Sequence, residues 1–189
     1  MIEETFEYKG IKFIYFKSIA SSNSRKNIIL LHGYSFNSQI WEDVGLVKLL
    51  NELGYNVYAI DIPGFPKSRN KSGDSIFLDF LKAFSDPLGN VSILGSSAGG
   101  HLAAKFAEAF PEKVSQLILV GAVGLEEMRL QKKIRILGIW GRNDKVSNPI
   151  SAKKIIESFG GRFVEIDGNH ACYLDSPEEF KKAIEEFLK

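Results

Sequence analysis

Between the apolar run Val91–Leu94 and the helical pattern Leu102, Ala103, Phe106, Ala107 and Phe110 lies the pentapeptide Gly95-Ser96-Ser97-Ala98-Gly99. A strand that enters a helix through so few residues must turn sharply, and glycines at both outer positions give the backbone room for a strained turn and close helix–strand packing. A turn of this kind lifts the hydroxyl of its middle residue above the sheet edge, where a substrate and a base can both reach it. Ser97 is therefore the candidate nucleophile. The pattern Gly-x-Ser-x-Gly has modest specificity by itself, so its weight rests on the surrounding elements and on partners elsewhere in the chain.

The surrounding elements fit one architecture. Phe6/Tyr8 and Ile11/Phe13/Tyr15 alternate on either side of Lys9-Gly10, which predicts an opening antiparallel hairpin. Ile28–Leu31, Val57–Ile60, Val91–Leu94, Leu117–Val120 and Ile134–Trp140 are short, mostly continuous apolar runs, as expected of parallel strands covered on both faces, and Arg162–Ile166 reads as a last strand nearer an edge. Helices are expected from about Gln39 to Leu53, over Ile76–Phe84, after Ser97, from Asn148-Pro149 to Phe159, and from Ser176-Pro177 onward. In the last of these, Ser176 and Glu179 have the spacing of a capping box. Strands alternating with helices specify a mostly parallel α/β sheet with helices on both faces. The whole chain, 1–189, reads as a single domain with no interdomain linker.

Composition excludes several function classes. Lys plus Arg number 24 against 23 for Asp plus Glu, so no global field would draw the protein to nucleic acid or to an anionic membrane. The acidic start Met1-Ile2-Glu3-Glu4 lacks the layout of a signal peptide, and no apolar stretch approaches the roughly 20 residues of a membrane span, so a cytoplasmic location is expected. Cys172 is the only cysteine. It has no disulfide partner and too few companions for a structural zinc site, so no structural metal is expected. Nothing in the pattern sets an oligomeric state.

A serine hydroxyl needs a neutral imidazole to remove its proton and an acid to orient that imidazole. Three histidines compete. His170 follows the last strand in Asp167-Gly168-Asn169-His170, and Asp144 follows the preceding strand in Gly141-Arg142-Asn143-Asp144. Both loops belong to the carboxyl edge of the sheet, the edge that carries Ser97 and where open parallel sheets bind ligands. Asp167 is a rival acid, and Asp144 could instead serve as a turn former. His101, four residues after Ser97 on a helix, points along that helix and suits a structural or pocket-wall role, while His32 is placed to hydrogen-bond neighbouring loops. Two backbone N–H groups should hold an oxyanion: that of Ala98 at the helix start and that of Tyr34 in the loop His32-Gly33-Tyr34-Ser35.

Leu30-Leu31-His32-Gly33-Tyr34, Asp61-Ile62-Pro63-Gly64-Phe65, Gly95-Ser96-Ser97-Ala98-Gly99-Gly100, Gly141-Arg142-Asn143-Asp144 and Gly168-Asn169-His170 together resemble the α/β-hydrolase superfamily over essentially the whole chain. His32–Ser38 and His170–Phe180 look like its small CIB-type branch. The resemblance implies an eight-stranded sheet and a cofactor-free Ser-Asp-His hydrolase acting on small ester-type substrates. Only Gly121–Lys133 joins the strands at Leu117–Val120 and Ile134–Trp140, which is too short for the helical cap that many relatives insert there. The His-Gly-Gly-Gly signature of the hormone-sensitive-lipase branch is absent.

The expected chemistry is carboxylester hydrolysis through an acyl-enzyme, with thioesters or amides as alternative substrates of the same residues. A binding or scaffolding protein that keeps the fold without turnover is the alternative of another class. Phe36, Phe65, Leu125 and Met128, with Tyr34, lie in loops expected to overhang Ser97 and to line a substrate pocket, or else to seal the core. Residues 122–133 raise the further question of a small mobile lid.

Overall fold

In a computed structural model that describes residues 1–21, 24–131 and 134–189, the strands form one eight-stranded sheet in the order β1-β2-β4-β3-β5-β6-β7-β8. The strands are β1 (Ile2–Tyr8), β2 (Ile11–Ser18), β3 (Lys26–Leu31), β4 (Tyr55–Ile60), β5 (Val91–Ser96), β6 (Val114–Val120), β7 (Arg135–Gly141) and β8 (Arg162–Ile166). β1 and β2 pair antiparallel, as does β2 with β4, while every pair from β4 through β8 is parallel. Lys9 and Gly10 turn the hairpin with φ of 50° and 77°, the left-handed pair that a tight two-residue connection requires.

The apolar runs are continuous because both sheet faces are covered. Along β3, Ile29 and Leu31 face one core cluster with helices α3 (Phe77–Ser85), α4 (Ala98–Ala109) and α5 (Pro149–Ser158). Ile28 and Leu30 face the other, with α1 (Ile40–Asp43), α2 (Leu46–Glu52), α6 (Cys172–Asp175) and α7 (Pro177–Leu188). The period of two in a strand thus feeds two hydrophobic layers from one segment.

Three sequence expectations change. The single helix expected over Gln39–Leu53 is two, because Gly45 takes a left-handed conformation (φ 74°) that ends the first and starts the second. At α7 the Ser176 side chain makes no capping bond, and Glu179 instead accepts from the Asp167 amide at 3.4 Å. Leu125 and Met128 are not overhanging loop residues; they are 3% and 2% exposed and belong to the core beneath.

The link from β6 to β7 holds no cap domain: its described part contains one short 3₁₀ turn, Leu125–Glu127. Lys132 and Lys133, the end of the segment considered as a lid, lie outside the described residues. The strand order reverses between β3 and β5, so the loops leaving these neighbours diverge and open a crevice at their carboxyl ends. That crevice contains Ser97 and Tyr34.

Candidate active site

Ser97 sits in the turn between β5 and α4 with φ 52° and ψ −118°, a conformation that costs a non-glycine residue about 1–3 kcal/mol. The neighbours hold it there. The Ser97 amide donates to Val120 O on β6 at 2.9 Å, and its carbonyl accepts from His101 N at 3.1 Å and Val123 N at 3.3 Å. A side chain at Gly95 would run into the Gly99 carbonyl, and one at Gly99 into the carbonyl of His32, so strand and helix approach as closely as bare backbone allows.

One face of the turn meets the loops after β7 and β8. His170 Nε2 lies 2.8 Å from Ser97 Oγ, and His170 Nδ1 lies 2.8 Å from Asp144 Oδ2. The tautomer that uses both contacts has Nδ1–H donating to Asp144 and Nε2 accepting from the serine hydroxyl. Asp144 reaches the ring, whereas Asp167 is exposed and interacts through its amide with Glu179. The Asp144 side chain is 0% exposed, and its second oxygen accepts from the amides of Val146 (2.8 Å) and Ser147 (3.0 Å), so this buried carboxylate is satisfied on both sides. The His170 side chain, 24% exposed, is open to solvent and lines the cavity beside Ser97.

The other face of the turn meets the loop after β3. A Cβ on Gly33 would lie 3.5 Å from Ser97 Cβ, which sets the Tyr34 backbone beside the hydroxyl. The amides of Tyr34 and Ala98 donate to no protein group among the described residues, so both are available to a ligand.

A cavity of about 70 Å³ adjoins Ser97, lined among others by Tyr34, Phe36, His170, Ala171 and Tyr173. Of the expected wall residues, Phe36 and Tyr34 line it. Phe65 stands one step back, its ring 5.2 Å from that of Tyr34, and Leu125 and Met128 lie in the core. Tyr173 escaped sequence reasoning because it belongs to a four-residue helix with no periodic signal. Burial pushes its phenol up to about 12, so the hydroxyl is neutral and able to donate.

The remaining histidines and the cysteine support the loops or the core. His32 is fully buried, donating from Nδ1 to Gly33 O and accepting at Nε2 from Ile62 N, both at 2.9 Å, and burial pulls its pKa below the usual histidine range. It ties the Tyr34 loop to the loop after β4. Asp61 adds a second tie by accepting from the Ser38 amide (2.9 Å) and hydroxyl (2.5 Å) and from the Arg69 amide (3.1 Å). Asn70, which no sequence pattern marks, donates to Asp61 O at 2.6 Å and thereby anchors the same loop. His101 packs against Gly124, where a Cβ would come within 2.6 Å of its Nδ1. Cys172 is buried, its thiol pushed up to about 12 by burial and by nearby Asp144, which makes it a core side chain. Among the described residues no group of three or more His, Cys, Asp or Glu is arranged to hold a metal ion, and no helix is long and apolar enough to cross a membrane.

Residues 26–135 match the family model described as the alpha/beta hydrolase fold. The chain belongs to the α/β-hydrolase family. Protein ABHD14A of Danio rerio is 33% identical over 174 residues, covering 87% of this chain and 64% of its own length, so the chain spans somewhat less than two thirds of that relative. ABHD14B of Rattus norvegicus, named as a candidate protein-lysine deacylase, is 26% identical across 99% of this chain and 95% of its own. The structure of a CIB-like hydrolase from Thermoplasma acidophilum superposes with a TM-score of 0.84 at 29% identity, covering 99% of this chain and 97% of that one. This α/β-hydrolase is thus similar to those proteins over most of its own length.

Proposed function

We propose that this α/β-hydrolase is a one-domain serine esterase that cleaves small carboxylic esters through an acyl-enzyme. One observation carries the reading: two consecutive 2.8 Å contacts join Asp144, His170 and Ser97 into a single relay that ends at an outward-facing hydroxyl. Ser97 Oγ attacks the substrate carbonyl as His170 Nε2 takes its proton, and Asp144 holds the ring and stabilises the imidazolium. The tetrahedral oxyanion is held by the Tyr34 and Ala98 amides, each worth about 3 kcal/mol to the transition state. Collapse breaks the ester C–O bond, and the departing oxygen takes the proton from His170 and leaves as an alcohol. A water then gives a proton to His170 and attacks the acyl carbonyl. The second collapse returns that proton to Ser97 and releases the carboxylic acid. No step needs a metal or cofactor, and nothing in the reading calls for a nucleic-acid or membrane partner; a cytoplasmic location suits it.

Amide deacylation is the second reading, supported by the naming of the rat relative. It uses the same relay with a nitrogen leaving group, and comparing kcat/KM on an ester and an amide with one acyl group ranks the two. A fluorophosphonate probe tests the relay itself. Label is expected on Ser97 by peptide mass spectrometry and none on folded Ser97→Ala, with ester turnover falling about 10⁴- to 10⁶-fold in that variant. Turnover surviving in Ser97→Ala would refute the assignment, and folded wild type that refuses the probe and every ester would make the chain a scaffold.

A further inference from the structure

At the sheet edge opposite Ser97, the amino-terminal ends of β3 to β7 surround a cleft of about 420 Å³. Its floor is polar. Ser92 on β5 and Gln116 on β6 are registered partners, both buried, and the hydroxyls of Ser92 (2.8 Å) and Tyr55 (3.2 Å) both donate to Gln116 Oε1. Gln116 is 8% exposed, yet its Nε2 has no protein partner among the described residues and keeps its solvent contact, since the only fully shielded unpaired side-chain atom there is Trp41 Nε1. Its amide hydrogens, met by no protein acceptor and open to the cleft, can donate to a ligand there.

The rim is basic. Arg25, Lys26 and Arg135 line the cleft with no carboxylate among its lining residues, and none of the three joins an ion pair among the described residues. Lys26 Nζ stands 5.3 Å above the Tyr55 ring, and Arg135 is held by its 2.8 Å bond to Phe187 O. Like charges gathered over a polar floor repel one another, and in a chain of net charge +1 the gathering is local. We infer that this cleft binds a small oxyanion, a phosphate or carboxylate group, which accepts from Gln116 Nε2 at the floor and is neutralised by Arg25, Lys26 and Arg135. The site is separate from the Ser97 crevice and independent of the esterase reading.

The test is a ¹⁵N spectrum of the full chain titrated with sodium phosphate and, separately, with sodium acetate, each against sodium chloride at matched ionic strength. The Gln116 side-chain amide pair is expected to shift saturably with at least one oxyanion and to stay in place with chloride. A tighter response to phosphate identifies a phosphate ligand, and a tighter response to acetate a carboxylate. Arg25→Gln combined with Lys26→Gln alters two exposed side chains and should raise the Kd about tenfold or more while the rest of the spectrum holds. A Gln116 pair that does not move, or that moves equally with chloride, overturns the site; so does wild-type affinity in the double variant.

Discussion

At the scale of single residues, the candidate site depends on one hydrogen in one place. Asp144 Oδ2 accepts from Nδ1 of His170, which leaves Nε2 with a lone pair facing Ser97. Asp144→Asn keeps the shape but lets an amide N–H face the ring, which favours the tautomer with its hydrogen on Nε2. Its kcat should fall roughly 10³- to 10⁴-fold with little change in KM, measured by steady-state ester hydrolysis. A loss confined to KM would mean that Asp144 serves binding instead. Substrate size is also decided by individual side chains. The 70 Å³ cavity beside Ser97 is far below the several hundred Å³ of sites for larger ligands, and Phe36 and Tyr173 help to wall it in. Acetyl to butyryl esters should therefore exceed octanoyl esters in kcat/KM by about tenfold or more, and Phe36→Ala should narrow that gap. A flat chain-length series would remove the cavity from the account of specificity.

At the scale of elements, the geometry of Ser97 comes from where β3, β5 and α4 touch. Gly95, Gly99 and Gly100 let α4 rest on the strands, and an added methyl at Gly95 or Gly99 meets backbone that has no softer position to take. Gly95→Ala should cost about 3 kcal/mol or more and remove probe labelling with it. Gly45 makes a contrasting case: its φ of 74° separates α1 from α2 far from Ser97, and its nearest obstacle is the flexible end of Lys181 at 3.6 Å. Gly45→Ala should cost about 1 kcal/mol in urea denaturation and leave specific activity unchanged. If the two substitutions had equal effects, close packing at the nucleophile turn would not be the controlling feature.

At the scale of the whole molecule, the parallel sheet separates two edges with different chemistry. The carboxyl edge gathers loops from β3, β5, β7 and β8 around Ser97, and the amino edge carries the basic cleft. The buried ties between loops make part of the stability pH-dependent. His32 is pulled below its ordinary value of 6.5 by burial, so as pH falls the unfolded chain takes up this proton first. Stability from this source is complete above about pH 6.5 and declines below it, through the depressed native value. Carboxylates held low by partners, such as Glu42 beside the Met1 ammonium, contribute their loss at more acidic pH, below about 4.5. Denaturation free energies at pH 7.5 and 5.5 should differ measurably in wild type and differ less in His32→Gln, even where that variant is weaker at both. An unchanged difference would locate the pH sensitivity elsewhere.

Local chemistry in the chain was enough to specify the hairpin at Lys9-Gly10, the six parallel strands, the turn around Ser97 and the loops bearing Asp144 and His170, because each depends on neighbours within a few positions. The break at Gly45 was visible only as a glycine inside a periodic run, since its φ answers to packing as well as to sequence. The burial of Leu125 and Met128, the choice of Asp144 over Asp167 at the His170 ring, the inward wall of Tyr173 and the bond from Asn70 to Asp61 all join residues distant in sequence. Those contacts exist because sheet order brings separate loops to one edge, and no periodicity along a single segment encodes which of two nearby carboxylates will arrive within 2.8 Å of a ring.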